Sequence, residues 1–223
     1  MSLADPVGAR SQCPTLRYPS PASRHWWLRR AAGLTGAWPV ERKDGDVRFT
    51  ETAIGGAFVV DIEPAHDERG FFARTFDPLE FERHGLATAF VQTSISFNRR
   101  KGTVRGLHYQ AEPAVEAKLI RCTRGAIHDI IVDLRPGSPT YLGHVAVVLD
   151  ARNRRGLYVP PMCAHGFQAL EDESETLYQI DTVHTPEAAR GVRHDDPMLA
   201  LSWPLPVAVI SEKDRAWPLL EDD

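Results

Sequence analysis

A histidine, an arginine and a phenol stand together in Arg105-Gly106-Leu107-His108-Tyr109-Gln110. An imidazole takes up and returns protons near neutral pH, so His108 is a candidate general base. Thr103-Val104 leads into this run. Lys118-Leu119-Ile120-Arg121-Cys122-Thr123 follows it, with apolar residues alternating with basic or small ones. That pattern predicts strands presenting one face to a pocket. Other residue types fit the same chemistry. Lys118, Arg69, Arg105 and Lys213 would offer positive charge to an anionic ligand. Tyr178 sits in the alternating run Leu177-Tyr178-Gln179-Ile180, where its hydroxyl would face a pocket. Asp214, in Ser211-Glu212-Lys213-Asp214, would orient a histidine, and His165 is a second imidazole in a strand-like setting. Asp129 and Asp133, four apart, share one face of an apolar strand, where capping is their ordinary role. Taken singly, every one of these types is also common in cores and on surfaces; only their grouping carries chemistry.

The elements that would hold them are short. From Phe49 onward, apolar or alternating runs cover residues 58–62, 90–95, 126–134, 144–149, 157–159, 167–170 and 176–180. Turn residues such as Gly55-Gly56 and those at 99–102, 135–139, 151–155 and 171–175 separate them. Many strands at roughly ten-residue spacing predict an all-β sandwich or barrel. One helix is predicted over Asp77-Pro78-Leu79-Glu80-Phe81-Glu82-Arg83-His84-Gly85, with a capping Asp, an early Pro and a terminal Gly. After Pro186 the periodicity fades, as expected of loops packed over a barrel.

Composition sets the limits. The chain has 223 residues, 43% hydrophobic and 25% charged, enough for one full core. A net charge of −4 argues against general nucleic-acid binding. Cys13, Cys122 and Cys163 have no metal-type spacing and suggest a reducing, cytoplasmic setting without disulfides. No apolar run approaches the ~20 residues that span a bilayer, so no membrane partner is expected. Residues 1–45 stand apart. They carry four of the prolines after Cys13, the pair Trp26-Trp27 and a charge of about +4, against about −8 for the remainder. The apolar stretch at 31–40 is broken by Gly33, Gly36 and Pro39, which argues against a signal peptide. The expectation is a poorly ordered extension at 1–45 and one domain at 46–223.

Read in order, a set of segments resembles one family. They are Asp67-Glu68-Arg69-Gly70-Phe71-Phe72, Phe90-Val91-Gln92 and Arg99-Arg100-Lys101-Gly102-Thr103-Val104-Arg105-Gly106-Leu107-His108-Tyr109-Gln110. Lys118-Leu119-Ile120-Arg121, residues 129–135 with Gly137-Ser138-Pro139-Thr140, and Ala164-His165-Gly166-Phe167 follow. Leu177-Tyr178, Arg190-Gly191-Val192-Arg193 with Asp195-Asp196-Pro197, and Ile210-Ser211-Glu212-Lys213-Asp214 complete it. Over roughly residues 49–220 the chain resembles the dTDP-4-dehydrorhamnose 3,5-epimerase family. The resemblance implies a cupin-type double-stranded β-helix, a jelly-roll barrel with a few short helices, and a homodimer. It implies a nucleotide-sugar substrate and no metal, flavin or nicotinamide, because a 4-ketone already acidifies the hydrogens on C3 and C5.

Residue by residue, the resemblance makes His108 the base, Asp214 its orienting carboxylate and Tyr178 the general acid. It places Lys118 near the C4 oxygen, where an enolate charge develops, and Asp129 close to the histidine. Arg69, Gln92, Arg105, His165 and Lys213 match substrate-binding positions. Four positions depart from the family. Arg74 stands where a glutamate commonly helps hold the nucleotide, Ser94 replaces an asparagine, His184 a second tyrosine, and Ala189 a glutamate. All four are ligand-contact positions, so the nucleotide and the number of inverted centres stay open. Other readings are a 4-keto to 3-keto isomerase, a non-catalytic sugar-binding cupin, and a metal-dependent cupin. The last lacks a His-x-His pair, since Tyr109-Gln110 follows His108.

Overall fold

The computed structural model describes residues 47–220; the expected extension at 1–45 lies outside them. The early strands are β1 (Val47–Glu51), β2 (Phe58–Ile62), β3 (Ala65–Asp67), β4 (Gly70–Phe72) and β5 (Gln92–Asn98). Next come β6 (Val104–Gln110), β7 (Lys118–Arg124), β8 (Ala126–Asp133) and β9 (His144–Asp150). The last are β10 (Gly156–Val159), β11 (Cys163–Ala169), β12 (Ser174–Ile180) and β13 (Ala189–Gly191). Helix α1 spans Pro78–Arg83 and α2 spans Glu212–Arg215.

Two antiparallel sheets form the expected all-β, cupin-type jelly roll. One runs β1-β2-β10-β7-β12-β5 and the other β13-β6-β11-β8-β9, with β3-β4 as a separate hairpin. Between the sheets, Ile120 and Leu157 of the first meet Ile127, Ile131, Leu149 and Phe167 of the second. Each fully buried side chain of this size contributes about 1.5–3 kcal/mol. Strand β8 reads apolar on both faces because both are covered. Ile127 and Ile131 point between the sheets, while Ile130 and Val132 pack under Val192, Leu199, Leu201 and Trp203. The C-terminal segment therefore closes over the second sheet, as its loss of periodicity predicted.

Helix α1 matches its sequence signals. Asp77 accepts from the amides of Leu79 and Glu80, and Phe81 is buried against Phe58, Leu119 and Tyr158 on the first sheet's outer face. Strand β11 begins at Cys163, four residues before the expected apolar run. Small residues at Ala164 and Gly166 hide the strand pattern, yet every residue of it is buried. The β3-β4 hairpin and β13 carry too little periodicity to announce themselves. Cys122 and Cys163 are free thiols in the core, with burial pushing both up to about 12.

Candidate active site

Strand β6 is where the site begins. His108 pairs with His165 and Arg105 with Phe167, so three steps on β6 answer two on β11. One extra residue bulges from β6, and the bulge puts Arg105 and His108 on the same cavity, which strict alternation forbids. Gly106 makes it possible. Its φ is +114°, and a Cβ there would lie 2.6 Å from Gly166 Cα and 2.7 Å from the His165 carbonyl oxygen. No other residue type fits both conditions.

Helix α2 delivers the carboxylate. Ser211 caps it by accepting the Asp214 amide at 3.0 Å. The buried Asp214 places Oδ1 2.6 Å from His108 Nε2, while Oδ2 accepts the Gly106 amide at 3.3 Å. Burial pushes the Asp214 carboxyl up, but the His108 hydrogen bond and charge, with Gly106 and Ser211, hold it below the usual carboxylate range. An ionised carboxylate only accepts, so Nε2 carries the proton and Nδ1 keeps the basic lone pair.

Tyr178 comes from β12 of the opposite sheet, its ring edge-on to His165 at 6.0 Å between centroids. Burial pushes its phenol well above the usual range, and the charge of Asp129 adds to this against Arg105. The phenol stays protonated across neutral pH. Lys118 Nζ donates to the His108 carbonyl at 3.1 Å and pairs with Glu116 at 2.8 Å. His165 Nε2 lies 2.5 Å from Asp129 Oδ1, both buried, with Asp129 Oδ2 lacking a hydrogen-bond partner. Arg105 Nε donates to Asn98 Oδ1 at 2.7 Å, and Gln92 Oε1 accepts the His184 amide at 2.8 Å.

Most of these side chains line one cavity of about 740 Å³. Of the sequence candidates, Gln92, Ser94, Arg105, His108, Lys118, His165, Tyr178, His184, Lys213 and Asp214 line it, as does Ala189. Asp129 sits behind His165, paired with that imidazole and not with His108. Arg69 is elsewhere, exposed beside β3-β4 and bonded to Asp67, and Arg74 pairs with Asp77 at the start of α1. Glu116 and Trp217 also line the cavity, though neither was among the candidate catalytic or substrate-binding residues. Glu116 is two before Lys118, the spacing that shares a strand face. Trp217, one helical turn beyond Asp214, packs edge-on to His108 with ring centroids 6.4 Å apart. Lys213 Nζ lies 5.4 Å from the Trp217 ring centroid. Among the described residues, no three His, Cys, Asp or Glu side chains group as ligands for a metal ion.

A family profile described as dTDP-4-dehydrorhamnose 3,5-epimerase matches residues 51–222. The dTDP-4-dehydrorhamnose 3,5-epimerase of Methanothermobacter thermautotrophicus is 41% identical over 181 residues, covering 80% of this chain and 97% of its own. Among solved structures, the Bacillus anthracis dTDP-4-dehydrorhamnose 3,5-epimerase with TDP and PPi bound superposes with a TM-score of 0.76. It shares 37% identity and covers 78% of this chain and 100% of its own. The Legionella pneumophila dTDP-6-deoxy-D-glucose-3,5-epimerase, in complex with dTDP-4-keto-L-rhamnose, gives 0.73 at 34% identity, covering 78% and 93%.

Proposed function

The chain belongs to the dTDP-4-dehydrorhamnose 3,5-epimerase family, and on that premise we propose that it inverts C3, C5 or both of a nucleotide-linked 4-keto-6-deoxyhexose. The favoured substrate is dTDP-4-dehydro-6-deoxyglucose, within deoxysugar biosynthesis in the cytoplasm; inversion at both centres yields dTDP-4-dehydrorhamnose, and inversion at one centre a different 4-keto sugar. The observation that carries the reading is the 2.6 Å contact between His108 and Asp214 in one cavity with Tyr178 and Lys118.

The chemistry follows from those groups. His108 Nδ1 takes the hydrogen from the carbon beside the ketone, and Asp214 holds the ring and balances the imidazolium. The electron pair moves onto the C4 oxygen, where the Lys118 ammonium and His165 meet the enolate. Tyr178, on the opposing sheet, returns a proton to the other face of the carbon, and the centre is inverted. Arg105, Lys213, Gln92, Ser94 and His184 hold the nucleotide sugar, the cations meeting its phosphate oxygens. The ketone is the electron sink, so this route draws on no cofactor. Arg69 and Arg74 lie outside their own chain's cavity and would serve the ligand of a second copy in a homodimer. The exposed Phe71 and Phe72 of the same hairpin support that docking.

Incubation with the 4-keto nucleotide sugar in deuterated water tests the reading by NMR. Deuterium entering C3, C5 or both, with inverted product, is expected, and His108→Ala should lower the rate about 10²–10⁴-fold. A ketone relocated to C3 would instead indicate an isomerase, and no exchange above background a binding protein.

A further inference from the structure

Glu116 has no part in the steps above, yet it lines the cavity and its carboxylate lies 2.8 Å from the Lys118 ammonium. We propose that Glu116 is a positioning residue for Lys118. With the His108 carbonyl, it fixes the ammonium so that one N–H remains for the sugar's C4 oxygen. The inference rests on the reading of Lys118 as donor to the enolate.

An ammonium carries three donors and no acceptor. One goes to the His108 carbonyl at 3.1 Å and one to Glu116 Oε1. The third is left for a ligand. The Lys118 and Glu116 side chains are only 9% and 8% exposed, so water competes little for either contact. A lysine stem has four rotatable bonds and no geometry of its own. Two fixed acceptors supply that geometry before substrate arrives, and one of them is the backbone of the catalytic histidine. Base and enolate donor are thereby referred to one peptide group.

The carboxylate is itself held in place. Ala117 lies between Glu116 and Lys118 with its side chain buried, and its amide donates to Asp181 Oδ1 at 2.8 Å. That bond pins the entry to β7, so Glu116 and Lys118 project from the same side of a fixed backbone. A surface ion pair of two long side chains would have no such constraint.

Steady-state kinetics with the 4-keto nucleotide sugar decide the matter, using wild type, Glu116→Ala, Glu116→Gln, Lys118→Met and the double variant Glu116→Ala/Lys118→Met. Glu116→Ala should lower kcat about tenfold, the scale of one charge-assisted hydrogen bond, with KM within about twofold. Glu116→Gln, whose amide oxygen still accepts from the ammonium, should restore most of kcat. In the Lys118→Met background, Glu116→Ala should cost nothing further. If Glu116→Ala does not fold, Glu116→Met, similar in length and without an acceptor, takes its place in both backgrounds. The proposal is overturned by wild-type kcat in Glu116→Ala, by a change confined to KM, by Glu116→Gln as slow as Glu116→Ala, or by equal losses with and without Lys118. A wild-type rate in Lys118→Met removes the reading of Lys118 itself, a result distinct from the others.

Discussion

In the proposed mechanism, Asp214 decides which nitrogen of His108 carries the proton, and so which atom would act as the base. Its carboxyl is held below its ordinary value, and it is therefore a pure acceptor at neutral pH. Asp214→Asn offers an amide that can turn either its oxygen or its nitrogen to the ring, so the tautomer is no longer dictated. We expect kcat to fall by on the order of a hundredfold, measured at saturating substrate with the fold checked by circular dichroism. The same proposal gives Tyr178 the complementary task. Burial keeps its phenol protonated, so Tyr178→Phe should retain deuterium exchange at the carbon beside the ketone while inversion slows. Inversion at the wild-type rate would remove Tyr178 as the acid. Both residues stood out as candidates in the sequence, and both line the cavity. The pairing of His165 with Asp129 was not, because two strands had to be laid side by side in register before one carboxylate could be assigned to one imidazole.

Strand ends and tight approaches carry the next set of expectations. Asp133 closes β8 and is fully buried. It accepts from Arg135 Nε and a terminal guanidinium nitrogen at 2.8 Å, from Ser138 at 2.6 Å and from Thr140 at 2.7 Å. Burial pushes its carboxyl up, but these donors together hold it well below the usual range. A depressed carboxyl contributes stability that is complete above its unfolded value, near 3.9, and is lost as pH falls through the folded value. Asp133→Asn should therefore cost about 2–4 kcal/mol at pH 7 in urea unfolding and show a shallower loss than wild type below pH 4. Gly191 of β13 tests the seat of α2. A Cβ there would lie 2.3 Å from the Trp217 indole, so Gly191→Ala must displace the ring that packs beside His108. Expected are a loss of about 1–3 kcal/mol and a lower kcat, with the stability loss relieved in Gly191→Ala/Trp217→Ala. The glycine was visible in the motif Arg190-Gly191-Val192-Arg193, but its reason for being glycine lies 26 residues away in the indole that covers it.

Taken as one body, the described residues turn the cavity to the proposed ligand and expose Phe71 and Phe72 of the β3-β4 hairpin. If Arg69 serves a second copy, Arg69→Ala should raise KM while leaving the thermal midpoint near wild type, and sedimentation should give a dimer mass for both. A monomer with full activity would end that assembly. The family match begins at residue 51, so removal of residues 1–45 should leave kcat unchanged. Much of this molecule was written in order along the chain. Alternating runs separated by turn residues dictate antiparallel strands, Asp77 and Pro78 dictate where α1 starts, and nine short segments in sequence mark the family and supply the candidates for acid, base and cation. These are local properties, set by side-chain period and backbone preference within a few residues. Contacts between distant parts of the chain had to wait for the folded barrel. His108 meets Asp214 across 106 positions. Arg105 shares its cavity only because Gly106 bulges against Gly166, and the role proposed for Glu116 arises only once Lys118 reaches the His108 carbonyl. Such pairings depend on register and on how closely two backbones approach, and those are settled by the packing of both sheets together.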